Sequence, residues 1–242
     1  MIKVLGVKDI ILNNRHKKCF LLQRNHFLSD TQKKLRKLFG RYLFTNLFVF
    51  FFNPIEKLNH KLNQEFRVEF NEMFNYLPKN INNVLDIGSG LGIINIFIND
   101  NFNNDVDFTL IDKNYIEKKV SYGFDEKGQF YNDFNVTLNF LTINGIKEEK
   151  LNLINVDSKH IINKKFDLVI SLLSLGYHYP INQYVEFFKK NTHRDTRFIF
   201  DFAEEYNDFN KIAKMFHSID IIKKSLEKRH NYLRVCCVGF KK

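Results

Sequence analysis

Asn83-Val84-Leu85-Asp86-Ile87-Gly88-Ser89-Gly90-Leu91-Gly92 is the stretch that decides the fold. An apolar run ends in a carboxylate, three glycines follow at alternate positions, and Ile93-Ile94-Asn95-Ile96-Phe97-Ile98 continues in a pattern compatible with a helix. This predicts strand, tight turn, helix. A turn bare of side chains at the carboxyl end of a strand lets backbone N–H groups come close to a ligand. The spacing is Asp-x-Gly-x-Gly-x-Gly, not the GxGxxG of a dinucleotide fingerprint. An acid at the strand tip repels a pyrophosphate and attracts an ammonium.

At this point the sequence resembles the class I S-adenosylmethionine-dependent methyltransferases, whose first motif reads (D/E)xGxGxG. The resemblance covers roughly residues 65 to 242 and bears on fold and cofactor, not on substrate. It implies that Asp86, Gly88, Ser89, Gly90 and Gly92 bind the cofactor S-adenosylmethionine. Phe108-Thr109-Leu110-Ile111-Asp112 reads as a second strand ending in an acid, 20 residues beyond Gly92. A carboxylate there is suited to accept from ribose hydroxyls, so the resemblance makes Asp112 the ribose ligand, with Lys113 following it. Leu151 to Asp157 reads as a third acid-tipped strand. In the family such an acid accepts from the adenine amine, which implies roles for Asp157 and Ser158.

Phe166 to Leu175 is a nearly continuous apolar run, as expected of a central parallel strand. The resemblance places Ser171 at its end among the cofactor-binding residues. The run breaks into Gly176-Tyr177-His178-Tyr179-Pro180 where this fold carries substrate chemistry. An imidazole is a suitable base for a hydroxyl acceptor, so His178 is the candidate catalytic residue, and Tyr177 and Tyr179 are candidate substrate contacts. As a bland alternative, His178 is a hydrogen-bonded loop histidine that moves no proton. The (D/N)PP(Y/F) motif of amino-methylating nucleic-acid enzymes is missing, with Ser171-Leu172-Leu173-Ser174 at the corresponding place. That favours hydroxyl acceptors, and the Gly-Tyr-His-Tyr-Pro run loosely resembles sugar-directed members of the superfamily.

A helix over Asn182–Asn191, a strand over Arg197–Phe202, a helix over Asn210–Phe216 and two final strands at Ser218–Lys223 and Tyr232–Phe240 complete the alternation. Right-handed crossovers fix its hand. The expected fold is an α/β doubly wound seven-stranded sheet, and the resemblance implies the order 3-2-1-4-5-7-6 with the last strand antiparallel. Upstream, residues 56–77 carry apolar positions at threes and fours and predict one long helix. Residues 1–55 read as a basic, aromatic-rich N-terminal helical extension and 56–242 as the Rossmann-like domain. Within the extension, Ser29 or Asp30 caps a basic amphipathic helix that runs into the aromatic stretch 43–52.

The net charge of +10 over 242 residues is uneven, for residues 1–42 hold eleven basic groups against two acidic ones. This is a solvated surface or an attraction to an anionic partner such as RNA, an acidic glycan, a phosphorylated substrate or a lipid surface. The 30 Asn and 27 Phe beside no Trp suggest a low-GC genome, so bulk Asn content is discounted as a functional clue. Cys19, Cys236 and Cys237 form no framework or ligand spacing and predict reduced thiols in a cytoplasmic protein. The run 43–52 is about half of the ~20 residues a spanning helix requires. CxxC, HExxH and GxxxxGK(S/T) are all missing, so no protein-held metal is expected. The resulting expectation is methylation of a hydroxyl on a carbohydrate or other small molecule. RNA methylation through the basic segment and a non-catalytic cofactor-binding module are the alternatives.

Overall fold

The computed structural model describes residues 8–40, 43–45, 54–116, 132–158, 162–177, 180–203, 209–227 and 230–241. The expectations for 46–52 and for His178 and Tyr179 lie outside these residues.

The sheet runs β1 (Asn83–Ile87), β2 (Asp107–Asp112), β3 (Leu151–Asn155), β4 (Phe166–Ser171), β5 (Thr192–Phe202), β6 (Phe216–Glu227) and β7 (His230–Phe240) along the chain. Its spatial order is β3-β2-β1-β4-β5-β7-β6. The first five strands are parallel, and β7 enters antiparallel between β5 and β6. Val84, Leu85 and Ile87 of β1 are wholly buried, as a central parallel strand covered on both faces requires. The helices are α1 (Asn14–Gln23), α2 (Asp30–Phe39), α3 (Ile55–Phe74), α4 (Ile93–Asn101), α5 (Phe134–Ile143), α6 (Val185–Asn191) and α7 (Phe209–Ala213).

On one face α3 lies on α4, with Phe70 stacked on Phe97 at 5.5 Å. The other face holds a phenylalanine cluster built from α6, β5, β6 and β7, centred on Phe188 and Phe198, whose rings are 5.2 Å apart. Cys236 and Cys237 are both buried, on opposite faces of β7 as adjacent strand residues must be.

Differences from the sequence reading cluster where apolar periodicity is weak. α1 lies in the amino-terminal extension, ahead of the predicted basic helix. It forms because Asn13 caps it, accepting from Arg15 N and His16 N at 2.9 and 3.2 Å, while His16 Nδ1 accepts from Asn13 N–H. These partners fix His16 with its proton on Nε2, which donates to Asn139 Oδ1 at 2.9 Å on α5. β5 begins at Thr192 and the β6–β7 pair extends to Glu227 and His230. Lys224, just past the predicted strand end at Lys223, is a cross-strand partner of Leu233.

The amino-terminal segment shares the main core. Phe20, Leu21 and Leu22 are at most 1% exposed. Residues 10–12 are held as a strand would be, but by asparagine side chains. Asn63 bonds both N and O of Ile10 at 2.7 and 2.9 Å, Asn59 does the same for Leu12 at 2.8 and 3.1 Å, and Asn144 for Ile11 at 2.7 and 3.0 Å.

Candidate active site

The turn between β1 and α4 is locked to β2. Gly88 N–H donates to Ile111 O at 2.7 Å, and Gly92 N–H to Ser89 O at 2.8 Å. Gly90 and Gly92 have φ of 55° and 69°, in the region that excludes most side chains. A Cβ on Gly92 would stand 2.9 Å from Leu110 Cδ2, and one on Gly90 would stand 2.7 Å from Gln23 Oε1. Within this cradle Ser89 Oγ is buried with no hydrogen-bond partner among the described residues. An orphaned hydroxyl beside a bare backbone is what a polar ligand would satisfy.

Asp112, at the tip of β2, faces the same turn. Its Oδ2 accepts from Gly90 N at 2.7 Å and Asn132 Nδ2 at 3.2 Å, and its Oδ1 from Lys113 N at 2.7 Å. Burial pushes this carboxyl up to about 6, against the pull of those hydrogen bonds. A carboxylate offers roughly four acceptor positions, so about one stays open for a ribose hydroxyl. Asn132 also donates to Gly90 O at 3.0 Å, and Thr137 Oγ1 donates to Gly90 O at 3.1 Å and to Asn132 Oδ1 at 2.8 Å. α5 therefore braces both the acid and the turn.

Asp86 is 5% exposed and accepts from Asn95 Nδ2 at 2.7 Å. Burial pushes its carboxyl up to about 7; the Asn95 hydrogen bond opposes this, the Asp112 charge adds to it, and the Arg24 charge opposes it. Asp157 lies just past β3, exposed, with Lys113 Nζ 3.6 Å from its Oδ1. That contact links the loops after β2 and β3. Ser158 directs its hydroxyl at Asn155 O, so it closes the turn. Val156 N–H donates to Asp112 O at 2.9 Å and carries the turn alongside β2.

Ser171, expected to contact the cofactor, lies at the end of β4. It is wholly buried, its Oγ donating to Ile87 O at 2.7 Å and accepting from Leu175 N at 2.8 Å. Its hydroxyl therefore clamps the ends of β1 and β4 together from inside. Leu173 follows at φ 55°, uncommon for a bulky residue, with its N–H donating to Asp201 Oδ2 at 3.1 Å. Gly176 packs so tightly that a Cβ would stand 2.4 Å from Phe202 Cδ1. Tyr177 emerges there, edge-on to Tyr232 with centroids 6.4 Å apart. Below it Arg234 Nε and Nη2 donate to the two oxygens of Asp201 at 2.7 and 2.8 Å, and Nη2 also to Glu69 Oε1 at 2.6 Å. Burial works against the Arg234 charge, but Asp201 and Glu69 overcome it and hold the guanidinium protonated.

The structure thus gathers the glycine turn, Asp86, Asp112, Lys113 and Asp157 at the carboxyl ends of β1, β2 and β3, while the Ser171 hydroxyl is held between Ile87 O and Leu175 N. Asn132, Thr137, Asn95 and Gln23 belong to the same constellation and were not read from the sequence. The one signal available was Asn132-Asp133 ahead of an apolar run, where Asp133 caps α5 by accepting from Asn135 N at 2.9 Å. Among the described residues, no group of three His, Cys, Asp or Glu is placed to hold a metal ion.

The sheet order, the antiparallel β7 and the glycine turn between acid-tipped strands are those of the class I methyltransferase fold. No family model matches the chain, and no curated protein matches it. Among solved structures, the chain is similar to the O-methyltransferase TomG from Streptomyces achromogenes, involved in tomaymycin synthesis and solved in complex with SAM. The identity is 11%, coverage is 97% of this chain and 92% of TomG, and the TM-score is 0.48. It is also similar to the Thermus thermophilus 16S rRNA N2 G1207 methyltransferase RsmC, at 12% identity, 72% and 42% coverage and a TM-score of 0.48. A Nostoc punctiforme protein provisionally assigned as an O-methyltransferase gives 11% identity, 72% and 56% coverage and a TM-score of 0.47. The chain spans about half the length of the last two proteins, at 42% and 56%. Likeness of this degree bears on the fold and assigns no activity.

Proposed function

We propose that the protein is an S-adenosylmethionine-dependent methyltransferase acting on a hydroxyl of a carbohydrate or other small molecule. The observation that carries this reading is the bare glycine turn fastened to the half-buried Asp112, with Ser89 Oγ orphaned inside it. When bound, the cofactor supplies a methyl group activated on a sulfonium. Asp112 receives a ribose hydroxyl at its remaining acceptor position, and Asn132 keeps that carboxylate in place. Asp157, whose Oδ1 stands 3.6 Å from Lys113 Nζ, is set to accept from the adenine amine. Asp86 lies just before the glycine turn, its carboxyl held by Asn95 Nδ2 at 2.7 Å.

Methyl transfer from a sulfonium is an in-line displacement, so alignment does most of the work. The acceptor proton passes to the imidazole of His178, the residue after Tyr177 in the chain. The inward Ser171 supports a hydroxyl over an exocyclic amine, since its Oγ already accepts from Leu175 N–H and donates to Ile87 O. His178→Ala is expected to keep cofactor affinity and to lose turnover by about 10²-fold or more; full activity across pH would leave it a loop histidine. Incubation with methyl-labelled cofactor and fractionated extract tests the whole reading. Label in a metabolite or glycan fraction supports it, and no transfer to any fraction supports a cofactor-binding module instead.

The basic α2 favours a second reading, RNA methylation. Lys34 and Lys37 are exposed on it, with Lys33 and Arg36 half-buried. Removing residues 1–42 would strip Phe20 and Leu21 from the core, so charge reversal at Lys33, Lys34 and Lys37 is the usable test. If the acceptor is RNA, the reversal weakens RNA binding and flattens its salt dependence by about one unit of slope per lost contact. Cofactor affinity stays unchanged.

A further inference from the structure

α2 carries Lys33, Lys34, Arg36 and Lys37 against one acid, Asp30, whose Oδ1 lies 3.4 Å from Lys33 Nζ. The helix is fixed at its start by a reciprocal cap, in which Ser29 Oγ accepts from Gln32 N at 3.3 Å and Gln32 Oε1 accepts from Ser29 N at 2.8 Å. Gln32 is buried, and Leu35 packs against the main core. Past the helix, Gly40 turns the chain at φ 78°, Phe44 N–H donates to Gly40 O at 3.0 Å, and Phe44 and Thr45 are buried again. The end of α2 and the turn after it therefore run between two anchored points.

What lies between those points is exposed and only partly polar. Leu38 is 75% exposed and Leu43 55%, on either side of Gly40, and Phe39 is 42% exposed. A Cβ on Gly40 would meet nothing within 4 Å, so the turn is open on its outer side. Lone exposed leucines are ordinary on a protein surface. These two share their stretch of chain with cations. Lys34 stands one helical turn before Leu38 and Lys37 next to it, both exposed and with no hydrogen bond or ion pair among the described residues. Nucleic acid would engage the lysines through its phosphates but has no use for aliphatic side chains, since single strands stack on aromatic rings. An anionic bilayer uses both: headgroup phosphates receive the ammonium groups, and the acyl boundary receives the leucines.

We propose that the end of α2 and the Gly40 turn form a contact site for an anionic lipid bilayer, with Leu38 and Leu43 entering the acyl boundary and Lys34 and Lys37 holding headgroup phosphates. The long lysine stems let the charges stay at headgroup level while the leucines beside them go deeper. A patch of this size holds a bilayer reversibly, unlike a spanning segment, and among the described residues no helix is long and apolar enough to cross a membrane. The proposal uses none of the residues assigned to the cofactor and stands whether or not that assignment does.

Sedimentation with vesicles tests it, using phosphatidylcholine alone and an equimolar mixture with phosphatidylserine. The wild-type chain should pellet with the mixed vesicles and stay in solution with phosphatidylcholine. Lys34→Glu combined with Lys37→Glu should bind the mixed vesicles at least roughly tenfold more weakly, as for the loss of two cations at an anionic surface. Leu38→Ser combined with Leu43→Ser, at exposed positions that leave the core intact, should lose a similar factor for the vesicles and keep whatever affinity the wild type shows for polyuridylate RNA. Both pairs should melt with the wild type. A wild-type chain that stays in solution with the mixed vesicles would overturn the proposal. So would vesicle binding that the leucine pair leaves unchanged, which would mark a plain electrostatic surface of the kind RNA takes.

Discussion

Asp86 is a carboxyl that folding has made reluctant to ionise. Burial lifts it to about 7, from 3.8 when free, and Asp112 moves the same way to about 6. A folded value above the unfolded one means that the stability each contributes is whole below about pH 4 and is lost as pH climbs through 6 to 7. Glu69, lowered by its two arginine neighbours against the opposing cost of burial, works oppositely and loses its contribution at the acid end. Thermal unfolding should therefore show a melting point falling between pH 5 and 8. Asp86→Asn should flatten that fall and gain on the order of 1–2 kcal/mol at pH 8. A wild-type melting point that rises over this window would show that Asp86 is not strained by its burial. The acid and the glycines were legible because each is a local demand of a turn. Asn132, Asn95 and Gln23 were not, since their partners Asp112, Asp86 and Leu91 stand 20, 9 and 68 residues away, and an asparagine in an asparagine-rich chain carries no mark of its partner.

Elements were legible in proportion to their apolar periodicity. Strands β1, β2 and β4 announce themselves as largely apolar runs, because parallel strands covered on both faces have little polar side to show. α1 hid because its buried set includes His16 and Lys17, polar letters that hydrogen bonding and a long aliphatic stem allow inside. The short α6 shows the opposite case. Its seven residues could not hold a helix alone, and Phe188 supplies the packing, meeting Phe198, Phe240 and Phe200 at 5.2, 5.7 and 6.2 Å. Phe188→Ala is expected to cost about 3–5 kcal/mol in denaturant unfolding. A loss under about 1 kcal/mol would mean that the ring cluster repacks and does not anchor α6.

Across the whole molecule, the basic amino-terminal extension packs into the core of the sheet domain. Ile10, Phe20 and Phe44 share a hydrophobic cluster with Val84, Leu110 and Leu168 of the sheet. The asparagines discounted as a compositional bias turn out to carry structure, pairing both edges of residues 10–12 as a neighbouring strand would. The sheet order was readable because alternating elements and right-handed crossovers leave few topologies open. The seating of the extension was not, for it depends on contacts between Asn59, Asn63, Asn144 and a segment 47 to 133 residues away. The central claim is that this body holds a sulfonium nucleoside through Asp112. Calorimetric titration of the wild-type chain and Asp112→Ala with S-adenosylhomocysteine tests it most directly. Saturable binding by the wild type, weakened by about 1.5–3 kcal/mol in the variant, is the predicted result; no binding by the wild type, or equal affinity in both, would contradict it.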